Sequence, residues 1–300
     1  MNSTTPVVPE IRIERELLRF EHPEQWQSRP GWRERISLSE HNLARIIGGY
    51  NLAREHWQHC GLCNTVHGRG YVVGTTEDLE TQIGKDCGQK HLGAVFEDLE
   101  RRFVIALEAQ DRMKGLRALL VRRGELLSTA KQALQECERA SAAILGIKHK
   151  IGREPTLDDL YRKALHSEGL IYLERRVSDV EFELTKRRYG REAVGRIDGY
   201  FATQTLSPKT QIQDKVLPLV TSLSEEMLAG LTQKGLTAKS READEASSIL
   251  IDAKSYVELA RRFTAKKNWM ALASAFGPGR LKTNDRGRRI LQQLIDQGTE

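Results

Sequence analysis

Three cysteines and a histidine stand close together in a chain otherwise poor in reactive side chains. Cys60 and Cys63 form a C-x2-C pair, and Cys87 and His91 follow as C-x3-H after 23 intervening residues. Two short pairs of sulfur and nitrogen donors at such a separation are the ligand set of a closed, tetrahedral zinc site. A tight turn between Cys60 and Cys63 would aim both sulfurs to one side. Cys87 and His91 are four apart, so on a helix they share a face. With four protein ligands no coordination position stays open for water, so the spacing predicts one structural Zn²⁺ and singles out no catalytic residue. His59 and His67 flank the cysteine pair and rival His91 as fourth ligand. Two other readings stand beside zinc: plain burial of small thiols, and a redox pair, although no βαβ pattern surrounds it.

The ligands must be positioned by the segments between and after them. Asp86 suits the N-cap of a helix that carries Cys87 and His91. The run Arg69-Gly70-Tyr71-Val72-Val73-Gly74 reads as a short β element bounded by glycines. Knuckle, short strand or hairpin, then ligands at a helix start resembles a treble-clef zinc site. The piece Ile83-Gly84-Lys85-Asp86-Cys87-Gly88 also resembles the IG-x-x-CG half of small zinc modules in bacterial and phage proteins. The resemblance implies a metal-binding fold over this stretch, of bacterial or phage type, and names no activity. The chain differs from the commoner four-cysteine pattern in having His91 last.

The remainder of the chain reads as mainly α. Hydrophobic content is 39% and charged content 29%, with 6% aromatic residues, which suits long, partly solvated helices better than an α/β enzyme. A helix is expected from Ser39 to about His59, with Leu43, Ile46, Ile47, Tyr50, Leu52 and Trp57 as its apolar face and Gly48 and Gly49 weakening its middle. A long helix is expected after His91. Its seam would be Met113, Leu116, Leu120, Leu127, Ala130, Leu134, Cys137 and Ile144, in the three-four spacing of a coiled coil or helical hairpin. Leu170, Leu173, Val177, Val180 and Leu184 repeat that spacing, and Gly190, Gly195 and Gly199 mark a turn region after them. The pattern divides the chain into an N-terminal arm at 1–38, disordered at its start, with Trp26 and Trp32 docking it. A zinc module and long helix at 39–150, a helical segment at 151–208 and a basic helical region at 209–300 follow.

Charge supplies the other signal. The net charge is +6, which favours an acidic partner. Between positions 254 and 289 there are ten basic residues against Glu258 and Asp285 alone. Arg261, Arg262, Lys266, Lys267, Arg280, Lys282, Arg286, Arg288 and Arg289 are the candidates for phosphate contact. The expected function is therefore non-enzymatic nucleic-acid binding through this surface, with zinc orienting the long helix. The alternative is a protein-interaction or assembly factor, self-associating or paired through its seams; a metalloenzyme ranks third. Phosphate-loop, G-x-S-x-G and H-E-x-x-H motifs are all missing. No apolar run reaches membrane-spanning length and no secretory h-region opens the chain, so a reducing cytoplasmic setting is expected.

Overall fold

The computed structural model describes residues 17–277 and 280–299. The disorder expected of the first ten residues lies outside them. Helices dominate, in line with a mainly α reading, but a small sheet stands where a helix was expected. The chain divides into two compact units: Met1–Ala118 with Glu225–Ser240, and Leu119–Ser224 with Arg241–Glu300.

The first unit is built on β1 (Leu18–Phe20), β2 (Leu43–Asn51), β5 (Arg69–Thr75) and β6 (Glu80–Gly84), hydrogen-bonded in the order β1-β2-β5-β6. Two two-residue strands, β3 (Gln58–His59) and β4 (Val66–His67), form a separate ribbon between β2 and β5. β5 and β6 are a hairpin whose register runs from Gly74↔Glu80 to Gly70↔Gly84. α2 (Lys85–Val121) follows at once and is interrupted at Gly93, where φ is 48° and ψ −135°. Leu92, Phe96 and Phe103 of α2 pack with Leu43, Ile46, Tyr71, Val73 and Ile83 of the sheet. A second cluster joins Phe20, Ile47, Tyr50, Leu52 and Val72 to Trp26 of the short α1 (Glu24–Gln27). Trp26 is completely buried and stacks on Tyr50 with ring centroids 4.7 Å apart. Trp32 donates to the Gln82 carboxamide at 2.9 Å.

The helix expected from Ser39 is thus corrected to a strand, for a legible reason. β2 carries two irregularities against β5, between Leu43 and Arg45 and between Ile46 and Gly48. Each bulge skips the period of two. The buried apolar side chains then fall at Leu43, Ile46, Ile47 and Tyr50, which imitates helical spacing. Gly48 pairs with Leu18 and Val72, and glycine is needed there because a Cβ would stand 2.4 Å from Cε2 of Phe20.

In the second unit α3 (Arg123–Ile151) places Ala130, Cys137 and Ile144 in the core, with Leu127 and Leu134 half-buried. Its Ser141 hydroxyl meets the Tyr256 hydroxyl of α9 (Gln233–Thr264) at 3.1 Å. α4 (Pro155–His166) starts on Glu154, whose carboxylate accepts from Leu157 N–H at 2.7 Å. The seam expected over Leu170–Leu184 is not a helix. Leu170 to Arg176 form β7, which pairs antiparallel with β8 (Tyr189–Arg196), and only Asp179–Thr185 is helical, as α5. The residues read as a glycine turn are therefore largely a strand. Val180 and Leu184 are 71% and 80% exposed, whereas Leu170, Leu173 and Val177 are half-buried. Glu168 and Gly169, at φ 53° and 82°, end α4 and turn the chain into the strand. Beyond the hairpin, a helical run of α6 (Lys209–Gln211), a π turn at Ile212–Val216 and α7 (Leu217–Ser222) packs on α3. α10 (Lys266–Ala273) and α11 (Asp285–Gln297) pack together, α10 also against β8. The short α8 (Glu225–Ala229) belongs to the first unit.

Candidate metal centre

Cys60 leaves β3 and enters a turn built by local hydrogen bonds. Cys60 N–H donates to Thr65 O at 2.9 Å, Asn64 N–H donates to Cys60 O at 2.9 Å, and Gly61 N–H reaches Gln82 O of β6 at 2.8 Å. Asn64 closes the turn at φ 63°, a conformation asparagine tolerates better than most residues. Cys63 thereby returns towards Cys60. Cys87 arrives from the other side, in the first turn of α2. The three sulfurs lie within 4.8 Å of one another, and Sγ of Cys63 and Cys87 are 3.2 Å apart. Cys60 is 1% exposed, whereas Cys63 and Cys87 are half-buried.

The electrostatics of this cluster are those of crowded thiols. The Thr65 hydroxyl, 3.3 Å from Cys63 Sγ, holds the Cys63 thiol down to about 7 against the effect of burial. Burial and the neighbouring sulfurs push Cys87 up to about 12. A cation among them would let all three sulfurs ionise together, so the cluster could hold a metal ion. The donor set is soft, so it fits a thiophilic ion. Tyr50 lies beside the cluster: burial first, then the charges of Cys60 and Cys87, raise its pKa. His67, whose Nδ1 is 3.2 Å from the Tyr50 hydroxyl, has its pKa lowered by burial and by His59.

Of the four expected ligands, Cys60, Cys63 and Cys87 come together and His91 does not join them. His91 is exposed, one helical turn beyond Cys87. Cys137 is a buried core residue of α3, as expected, with Sγ 4.0 Å from Ala253 O. The carboxylate of Glu100 in α2 accepts from the Tyr71 hydroxyl at 2.6 Å and from Lys85 Nζ at 2.8 Å.

The basic candidates fall into two groups. Arg261, Arg262, Lys266 and Lys267 surround one depression of about 330 Å³, together with Met270 and Thr299. Arg261 pairs with Glu258 at 3.0 Å, while Arg262 and Lys267 both pair with Asp198, at 2.8 and 3.2 Å. Burial raises the Asp198 pKa, but Arg262, Lys267 and the Gly199 N–H outweigh it and hold it low. Asp198 lies outside the stretch counted for charge, so sequence reasoning missed it. Arg280 donates to Ser274 O. Lys282, Arg286, Arg288 and Arg289 are exposed and make no ion pair among the described residues. The hairpin also exposes Arg176, Arg187, Arg188 and Arg191, which the helical reading of that segment hid. Compared with known protein families, characterised proteins and solved structures, the chain matches none.

Proposed function

We propose that this chain binds nucleic acid through the basic surface of its second unit, and that Cys60, Cys63 and Cys87 hold a structural zinc ion in a treble-clef-like module. The observation that carries the nucleic-acid reading is the set of exposed cations without acidic partners. Arg286, Arg288 and Arg289 stand off the buried face of α11, which is Gly287, Ile290, Leu291 and Leu294. Lys266 lies in the depression with no ion-pair partner among the described residues. Such cations attract phosphates because contact releases condensed counterions. The zinc reading is supported by the order of parts: a two-cysteine turn, the β5–β6 hairpin, and a third cysteine in the first turn of a helix. When bound, the ion would supply positive charge and geometric restraint, and the three thiolates would fasten β3–β4 to the start of α2.

Binding of a duplex oligonucleotide by wild type and by the Arg286→Ala, Arg288→Ala, Arg289→Ala triple variant, across a salt series, tests the reading. Each phosphate contact contributes about −0.9 to the slope of log affinity against log salt, so the variant's slope should be shallower by up to about 2.7. The loss should be similar for all base sequences. Absence of binding at low salt sinks the reading and leaves the assembly role. That second reading is favoured by Val180, Leu184, Tyr189 and Leu206, which are 71%, 80%, 65% and 92% exposed in the second unit. Concentration-dependent self-association in the absence of nucleic acid would be its signature.

A further inference from the structure

The three sulfurs account for three ligands of a four-coordinate ion. His59 and His91 are exposed, whereas His67 is half-buried. It follows Cys63 by four residues on β4, opposite Gln58 of β3. Its ring stacks on Tyr50 with centroids 5.8 Å apart. It also meets the end of β6, for a Cβ on Gly84 would stand 2.9 Å from the imidazole Cδ2. Gly84 is three residues before Cys87, so the ring rests on the strand end that delivers the third sulfur. His67 and Cys87 line one cavity of about 610 Å³.

The two ring nitrogens are not equivalent. Nδ1 is 3.2 Å from the Tyr50 hydroxyl, and that hydroxyl is 3.3 Å from the Ile83 carbonyl. A hydroxyl has one proton. With it directed to the carbonyl, the oxygen accepts from Nδ1–H, and the lone pair of the neutral imidazole is on Nε2. Nε2 is buried and has no hydrogen-bond partner among the described residues. One nitrogen held by an outer partner and the other bare is the arrangement of a metal-ligating histidine. His91, by contrast, has neither burial nor a hydrogen-bond partner among the described residues.

We propose that Nε2 of His67, and not His91, completes the coordination sphere of the ion held by Cys60, Cys63 and Cys87. The proposal rests on the metal-binding reading above. The imidazole is outside the group formed by the three sulfurs, so binding draws it inward. β3 and β4 pair over only two residues each, which lets the ribbon follow the ring. Tyr50 then orients the ligand without touching the metal.

The test uses the full chain, stripped and reloaded with zinc or with cobalt(II), whose visible spectrum reports its ligands. X-ray absorption of the zinc-loaded wild type should show three sulfurs and one nitrogen. His67→Ala should alter the cobalt spectrum. It should also weaken zinc binding, in competition with a chromophoric chelator, by more than the roughly 10- to 100-fold typical of losing an outer-shell partner. Tyr50→Phe should weaken binding within that roughly 10- to 100-fold range and keep the ligand set. His59→Ala and His91→Ala should leave the spectrum and affinity as in wild type. Should His67→Ala not fold, imidazole nitrogen NMR of wild type with and without zinc decides, because only the bound nitrogen moves strongly. A cobalt spectrum changed by His91→Ala, or a fourth ligand that is oxygen, overturns the assignment. A wild-type chain that takes up neither zinc nor cobalt overturns the metal reading with it.

Discussion

Replacing Glu100 by glutamine measures how far the start of α2 depends on one buried carboxylate. Glu100 is 8% exposed and accepts from Tyr71, from Lys85 and, at 3.4 Å, from Gln89. Lys85 and Gln89 precede the break at Gly93 and Glu100 follows it. The carboxylate therefore ties both pieces of the helix to each other and to β5. Glutamine keeps the shape and can still accept from Tyr71, but removes the charge facing Lys85. Breaking a fully buried ion pair from one side costs about 3–5 kcal/mol. The Lys85 side chain is 34% exposed, and water screens it, so a loss on the order of 2 kcal/mol is expected. Burial alone would raise the Glu100 pKa, but Lys85, Tyr71 and Gln89 outweigh it and hold it below the ordinary value. The unfolded chain, with its glutamate near about 4.3, thus binds this proton more readily than the folded one. The stabilisation is full above the unfolded value and is lost as pH falls through the folded one. Urea unfolding of wild type and Glu100→Gln at neutral pH and in acid checks this. The two proteins should differ by about 2 kcal/mol at neutral pH and converge in acid. A gap that persists unchanged into acid would refute the reasoning.

Other expectations follow from single contacts. Trp26→Ala should cost about 3–5 kcal/mol in chemical unfolding, while Trp26→Phe should cost distinctly less, because the buried indole N–H has no partner to lose among the described residues. Gly93→Ala should destabilise by about 1–3 kcal/mol, since φ 48° with ψ −135° is a conformation that residues with a Cβ avoid; thermal unfolding with no shift would count against the break in α2. Asp198→Asn should release Arg262 and Lys267, so that oligonucleotide binding tightens at low salt and its salt dependence steepens. Unchanged binding in that variant would place the contact away from the depression.

The parts of this protein that sequence determined are those set by neighbours in the chain. The cysteine cluster was legible because its turn is closed by bonds among Cys60, Asn64 and Thr65, and because a helix begins at Lys85, two residues before Cys87. The seam on α3 was legible because burial of Ala130, Cys137 and Ile144 follows the period of the helix itself. Three features waited on tertiary structure. β2 imitated a helix because its bulges answer to the partner strand, which local spacing does not reveal. Leu170, Leu173, Val177, Val180 and Leu184 kept helical spacing although Leu170–Arg176 pair with Tyr189–Arg196, since pairing energy across a hairpin overrides local propensity. The charge state of the basic surface depended on Asp198, brought against Arg262 and Lys267 from more than sixty residues away. The surroundings of the cysteine cluster were likewise beyond the reach of spacing. His91 shares a helix face with Cys87 yet stays exposed and outside the sulfur cluster, while His67 is half-buried by the packing of Tyr50 and Gly84 around it.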